Sequence, residues 1–162
     1  MNSNALVIEK LKAAFPQGIE SDNEFRGDLT LQIRREDIVP VCRFLKDDAD
    51  LSFDMIIDLV GVDRYTPANR FEVVYNLYSI TNKAYVRLKV RVEEDNPVVD
   101  SVTGVWEGAN WHEREAYDMI GIRFRGHPDL RRMYMPEEFE YYPLRKDFPL
   151  MGIPDSIPLP RR

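Results

Sequence analysis

Apolar positions along the first fifty residues recur at helical spacing, then at strand spacing, then at helical spacing again. Over about 5–15, Leu6, Ile8, Leu11, Ala14 and Phe15 form a broad apolar stripe. Asn4 stands where a cap is needed and Pro16 where the helix must stop. Ile19 to Phe25, the turn Arg26-Gly27-Asp28, and the alternating Leu29, Leu31 and Ile33 predict a hairpin with one buried face. A second helix is expected at about 36–48, where Ile38, Val41, Cys42 and Leu45 share a face and Pro40 falls in the first turn, where it costs no hydrogen bond. Leu51 to Asp63 holds the nearly continuous run Met55-Ile56-Ile57-Asp58-Leu59-Val60. Its period does not choose between buried strand and helix, although its β-branched residues favour a strand. Phe71 to Ile80 and Ala84 to Val92 are plainer. In the second, Val86, Leu88, Val90 and Val92 alternate with Arg87, Lys89 and Arg91, which predicts one wet face and antiparallel pairing through the turn Thr81-Asn82-Lys83.

After a solvated loop, Glu93 to Pro97, and the segment Val98 to Trp106, residues from Ala109 onward read as about three helical turns. Asn110 is a candidate cap, Glu113 falls in the first turn where it would suit the helix dipole, and Gly121 marks the end. Beyond it come Pro128, Pro136, Pro143, Pro149, Pro154, Pro158 and Pro160, which deny the backbone the donors of a long helix or a central strand. The same stretch carries Phe124, Leu130, Met133, Tyr134, Met135, Phe139, Tyr141, Tyr142, Leu144 and Phe148, too much apolar surface for a solvated linker. The expected class is α+β: a mostly antiparallel sheet flanked by helices over residues 1–122, with an extended proline-rich C-terminal tail over 123–162 whose apolar groups bury on a second polypeptide.

Charge sharpens this division. The chain of 162 residues carries a net charge of −6. Residues 1–122 hold 14 Lys and Arg against 22 Asp and Glu, net −8; residues 123–162 hold 8 against 6, net +2. An acidic body argues against a nucleic-acid partner, because phosphate contact needs a basic surface, and a mildly basic tail suits an acidic protein surface. Cys42 is the only cysteine, so no disulfide and no cysteine-held iron–sulfur or zinc site can be built from this chain alone, and Cys42 reads as a core residue. No apolar run reaches the length of a membrane span, and Met1-Asn2-Ser3-Asn4 lacks the basic start and apolar core of a signal peptide.

Catalysis would have to use Glu113, Glu115, Asp118 and the two histidines. Glu113 and Glu115 point about 200° apart around a helix and cannot share one substrate, whereas Arg114 and Asp118 are neighbours. Trp111, Glu115 and Asp118 form one row; Ala109, His112, Ala116, Met119 and Ile120 form the stripe expected to face the core. His112 and His127 read as packed, hydrogen-bonded residues. Glycine-rich nucleotide loops, nucleophile elbows, Cys-x-x-Cys and His-Glu-x-x-His are all absent from the sequence.

Glu113-Arg114-Glu115, Asp118-Met119-Ile120, Gly126-His127-Pro128-Asp129-Leu130-Arg131-Arg132, Met133-Tyr134 and Pro143-Leu144-Arg145-Lys146-Asp147-Phe148-Pro149-Leu150 resemble the signature of the 30-kilodalton, or C-type, subunit of respiratory complex I. The resemblance is strongest over about 109–150, extends through 50–108 and fades over 1–49. It implies an accessory subunit of a proton-translocating NADH:quinone oxidoreductase, peripheral on the cytoplasmic side of the cell membrane. Such a protein would dock on a 49-kilodalton, or D-type, partner near the quinone-reducing module. It would hold no FMN, iron–sulfur cluster or quinone itself, since those belong to other subunits. The resemblance marks Glu113, Arg114, Glu115, Asp118, His127, Arg131, Arg132, Leu144, Arg145, Lys146, Asp147 and Phe148 as partner-binding or structural, the helix charges pairing internally while the tail aromatics and Arg131, Arg132, Arg145 and Lys146 engage the neighbour, and none as catalytic or metal-binding. The chain, ending at Arg162 without a fused D-type sequence, is expected to be a separate polypeptide. Two other readings stay open: the equivalent subunit of a membrane-bound hydrogenase or of a ferredoxin-dependent, deazaflavin-dependent or plastid complex, and a free-standing enzyme using Glu115, Asp118 and His127.

Overall fold

Alternation in β4 (Phe71–Ser79) and β5 (Ala84–Val92) decides the architecture, as the sequence predicts. In the computed structural model, which describes residues 3–153, these strands pair antiparallel with Tyr75 opposite Leu88 and Leu77 opposite Val86, and both odd-numbered β4 positions and even-numbered β5 positions are buried. The remaining elements are α1 (Ser3–Ala14), β1 (Ile19–Phe25), β2 (Asp28–Ile33), a short 3-10 turn (Arg35–Asp37), α2 (Ile38–Asp47), β3 (Met55–Asp63), β6 (Val98–Asp100), α3 (Ala109–Ile120) and β7 (Arg123–Arg125). Among the described residues the main sheet has five strands in the order β1-β2-β5-β4-β3. Its pairings are antiparallel except β2 with β5, which run parallel because α2 and two further strands intervene between them in sequence. A second sheet pairs β6 with β7 in parallel, with α3 as the crossover between them.

The core side of the sheet receives side chains from α1, α2 and α3. Val7, Leu11, Ile38, Val41, Cys42, Leu45, Ala116 and Ile120 join Leu31, Tyr75, Leu88 and Val90 in one continuous apolar cluster. The opposite side is wet. There Asn76 links Asp58 to Arg87, and the buried Glu72 carboxylate faces Lys89 at 3.1 Å and Arg64 and Arg91 at 3.4 Å each. No helix among the described residues is long and apolar enough to cross a membrane.

Local differences from the sequence reading have definite causes. Asn4 does not cap α1, which already begins at Ser3; its side chain donates to the Gly27 carbonyl and pins the helix to the hairpin turn. The buried stripe of α1 is accordingly Asn4, Val7 and Leu11, with Leu6, Ile8 and Phe15 only half-buried. The hairpin turns through Arg26 and Gly27, both at positive φ, a conformation glycine adopts freely. The undecided run at Met55 is a strand, and a bulge explains its lost period: the register slips between Ile56 and Asp58, so Ile56, Leu59 and Asp63 all reach the core side. The boundary expected after residue 122 falls between α3 and β7. Because β7 pairs with β6 and Phe124 is buried, the start of the expected tail belongs to the folded body. The tail prolines Pro154, Pro158 and Pro160 lie outside the described residues.

Candidate functional site

Helix α3 lies close against β3 because small residues meet at the crossing: a Cβ placed on Gly61 would stand 3.2 Å from the Ala116 Cβ. Ala109, Ala116 and Ile120 are buried as expected, while His112 and Met119 are only half-buried. Three charged residues of the same helix are buried too: Glu113, Arg114 and Asp118. Burying a charge costs several kcal/mol unless it is paired and hydrogen-bonded, so the partners of these groups explain the site.

Glu113 does not act at the helix terminus. The helix starts at Ala109, with Gly108 rather than Asn110 at the cap position and no side-chain cap. The Glu113 carboxylate turns into the body, accepting the Val102 N–H at 2.7 Å and the Ser101 hydroxyl at 2.7 Å. Burial pushes its carboxyl up to about 7, and those two bonds recover only part of the cost. Nearby in the core, burial first and the Glu113 charge second push the Cys42 thiol far above its ordinary value, which leaves Cys42 an inert packing residue.

Arg114 and Asp118 face the other way and hold the tail. Arg114 lies against the Trp111 ring and donates to the carbonyls of Arg131, at 3.2 Å, and Arg132, at 3.4 Å. One Asp118 oxygen takes Arg132 Nη1 at 2.7 Å; the other accepts three successive backbone N–H groups, from Met133, Tyr134 and Met135, at 3.0, 2.7 and 3.1 Å. Burial alone would raise this carboxyl, but the three N–H donors and the Arg132 guanidinium outweigh it and hold it below the ordinary value. Arg132 goes on to the Tyr141 carbonyl and lies over the rings of Phe139 and Tyr142.

A second anchor follows further along the tail. Arg145 Nε donates to the Ile120 carbonyl at 2.7 Å, supplying a cationic donor at the end of α3, and its head group sits between Tyr142 and Phe71. The Leu144 N–H bonds the Met119 carbonyl, and the Lys146 N–H bonds the Asp63 carboxylate at 2.8 Å. Asp63 is also held by Arg70 through two bonds of 3.0 and 2.7 Å, and Arg70 reaches Asp147 at 3.0 Å. Burial works against ionisation here as well, yet Arg70 with the Lys146 and Tyr65 N–H groups brings the Asp63 carboxyl down to about 2. Gly121, at φ +88°, makes this anchor possible, because a Cβ there would meet Arg145 at 2.6 Å and the Tyr142 ring at 2.8 Å.

The residues marked in the sequence therefore separate. Arg114, Asp118, Arg132, Arg145, Lys146 and Asp147 come together in one strap, whereas Glu113 sits on the opposite side of α3 and Glu115 is exposed with Trp111. Arg132 and Arg145 are among the residues expected to engage a neighbour. Both head groups are held inside the chain, since a half-buried guanidinium finds its carboxylate and carbonyl partners on α3 and the adjacent tail. Arg131 stays exposed, its side chain paired with Asp129 at 3.0 Å. His127 is a structural residue: Nδ1 accepts the Asp129 N–H, so Nε2 donates to the Asn110 carbonyl at 3.2 Å. Leu144 is exposed, and Phe148 is half-buried against Phe139. Asp63, Arg70 and Ser101 are as much part of the site as any of these and carried no signal, because their partners lie up to 83 positions away. Among the described residues no group of three or more His, Cys, Asp or Glu is placed to hold a metal. Two of the buried carboxylates, Asp63 and Asp118, are held by backbone N–H and guanidinium donors that tie the tail to the body, whereas Glu113 has only the Val102 N–H and the Ser101 hydroxyl.

The family model described as respiratory-chain NADH dehydrogenase, 30 Kd subunit, matches residues 31–154. The C-type NADH-quinone oxidoreductase subunit of Roseiflexus sp. (strain RS-1) is 55% identical over 147 residues, covering 91% of this chain and 84% of that protein. Its namesake from Geotalea uraniireducens (strain Rf4) is 47% identical over 158 residues, covering 98% of this chain and 94% of its own length. Among solved structures, the trypsin-resistant fragment (1-134) of Nqo5 is 34% identical with a TM-score of 0.66, covering 79% of this chain and 99% of the fragment. A chain of an archaeal membrane-bound sulfane sulfur reductase shares the fold, at a TM-score of 0.74 and 21% identity over 91% of this chain and 86% of its own.

Proposed function

Because the chain belongs to the family of the 30 kDa subunit of respiratory-chain NADH dehydrogenase, the C-type subunit of NADH-quinone oxidoreductases, we propose that it is a cofactor-free scaffolding component of the proton-translocating complex. In this reading it sits peripherally on the cytoplasmic side of the membrane, in the hydrophilic arm. It docks on the 49-kilodalton, D-type partner near the quinone-reducing module, while the flavin, the iron–sulfur clusters and the quinone chemistry stay with other subunits.

The observation that carries the reading is the use made of Asp118. A buried carboxylate on the central helix is bound by Arg132 and by three tail N–H groups, so the signature residues fix the path of a tail rather than confront a substrate. A tail so held presents Tyr134, Tyr141 and Leu144 outward, with exposures of 61%, 43% and 58%. Exposed aromatic and aliphatic side chains on an ordered backbone are efficient anchors, since the ordering has already been achieved within the chain itself.

The test is recovery of partner subunits on a tagged chain carrying Leu144→Ala and Phe148→Ala. Weakening of binding to the D-type partner by about thirtyfold, with the chain still folded, is expected for two anchors worth about 1 kcal/mol each. Undiminished recovery refutes the anchoring role of the tail.

A further inference from the structure

The two edges of the main sheet are built differently. β1, at one edge, reads Ile-Glu-Ser-Asp-Asn-Glu-Phe and is exposed almost throughout, the charged kind of strand that repels unwanted pairing. β3, at the other edge, reads Met-Ile-Ile-Asp-Leu-Val-Gly-Val-Asp, with no Lys and no Pro. Among the described residues it pairs on one side only, with β4. Met55 and Val60 remain 42% and 45% exposed along it. β3 carries a bulge between Ile56 and Asp58, but its two charges, Asp58 and Asp63, are bonded within the chain by Asn76 and Arg70, and an open edge this apolar is a template for another strand.

Two grooves lie along this edge. One, of about 270 Å³, runs between Asp58–Gly61 and the flank of α3 at His112, Glu115 and Met119. The other, of about 600 Å³, begins at Asp54–Ile56 and extends beneath Trp106, Glu107 and Gly108. Together they follow the strand over roughly seven residues, or about 23 Å, the length of an ordinary paired strand. Four carboxylates line them, Asp54, Asp58, Glu107 and Glu115, and none has an ion-pair partner among the described residues. The one cation lining them among the described residues, Lys46, directs its ammonium to the Val105 carbonyl.

We infer that the free edge of β3 is a docking site for an extended segment of a partner protein that adds a strand to the sheet, its side chains alternating between basic and apolar. Backbone N–H and C=O groups of β3 supply the affinity. Met55, Val60 and Met119 give apolar purchase, and the four carboxylates select lysine and arginine. The inference rests on the chain being a subunit of an assembly and names one surface that the assembly uses.

Hydrogen exchange of residues 55–63 tests it, comparing the purified full chain with the same chain in the native complex isolated through a tag on it. Outward-facing amides of β3 are expected to exchange freely in the chain alone and to slow about 100-fold in the complex. Glu115→Lys with Glu107→Lys, both exposed helix-flank positions, is expected to lower partner retention about tenfold at unchanged melting temperature. Unslowed β3 amides in an intact complex overturn the edge proposal and leave the subunit reading standing; recovery of the chain with no partner overturns both. Amides already protected in the monomeric chain mean its own residues cover the edge. Protection that appears only on dimerisation makes a second copy the occupant. Either result overturns the proposal, as does full partner retention by the doubly reversed variant.

Discussion

Replacing Glu113 with glutamine is expected to stabilise the folded chain at alkaline pH and to change it little at pH 4. In the unfolded chain the carboxyl titrates near 4.5; in the fold, burial lifts it to about 7 despite the Val102 N–H and Ser101 hydroxyl bonds. Between those values the folded state keeps a proton that the unfolded state has released. The stability contributed by this group is therefore complete below pH 4.5 and is lost as pH rises through 7. A gap of about 2.5 pH units at about 1.4 kcal/mol each amounts to roughly 3 kcal/mol between pH 4.5 and pH 8. Glutamine keeps the shape and the acceptor for Val102 but is neutral throughout, so its stability does not pass through this loss. In urea titrations the midpoints of variant and parent should lie close together at pH 5 and separate at pH 8 by roughly 1 to 2 M in favour of the variant. A separation that is the same at both pH values, or a variant that is weaker at pH 8, refutes the argument that a buried carboxyl is held near neutrality here.

The tail makes three further predictions. Asp118→Asn removes the ion pair to Arg132 and weakens three N–H bonds, so trypsin should cut after Arg131 and Arg132 at least tenfold faster, with a loss of about 2 kcal/mol in global stability. Gly121→Ala places a Cβ at φ +88° against Arg145 and Tyr142, and should cost about 2 kcal/mol or more, read as a fall of several degrees in melting temperature together with faster cleavage after Arg145. Asp63 has the opposite pH sign from Glu113: its carboxyl is held at about 2, so its contribution is present above pH 4 and lost as pH falls through 2. Acid unfolding followed by circular dichroism should be shallower by roughly 2 kcal/mol in Asp63→Asn, from a lower starting stability.

Much of the body was legible because its signals are local. The alternation of Val86, Leu88, Val90 and Val92 survives intact as the buried row of β5, Ile38, Val41, Cys42 and Leu45 form the buried face of α2, and Gly121 ends α3 in a left-handed conformation as a helix-stop glycine should. Membership in the family was readable from the cluster around Arg114, Asp118, His127 and Arg131. What could not be read are the contacts made across long sequence separations. Period alone placed Glu113 at the helix start, whereas a loop ending at Val102 folds over the helix and buries it. Nothing near Asp63 announces Lys146, and nothing in Arg145 announces that its partner is the carbonyl of Ile120. The tail's attachment points within the chain, a carboxylate on α3 and another at the end of β3, are visible only once those elements are in place.

That arrangement has a consequence for the order in which the protein assembles itself. The hairpins and the β6-α3-β7 unit join residues near one another along the chain and can form early, but the bond between Lys146 and Asp63 closes a loop of 83 positions and has nothing to grip until the end of β3 and the end of α3 already stand side by side. The C-terminal segment is thus the last piece to settle. A newly made chain should pass through a period when its sheet is complete and its tail is still loose.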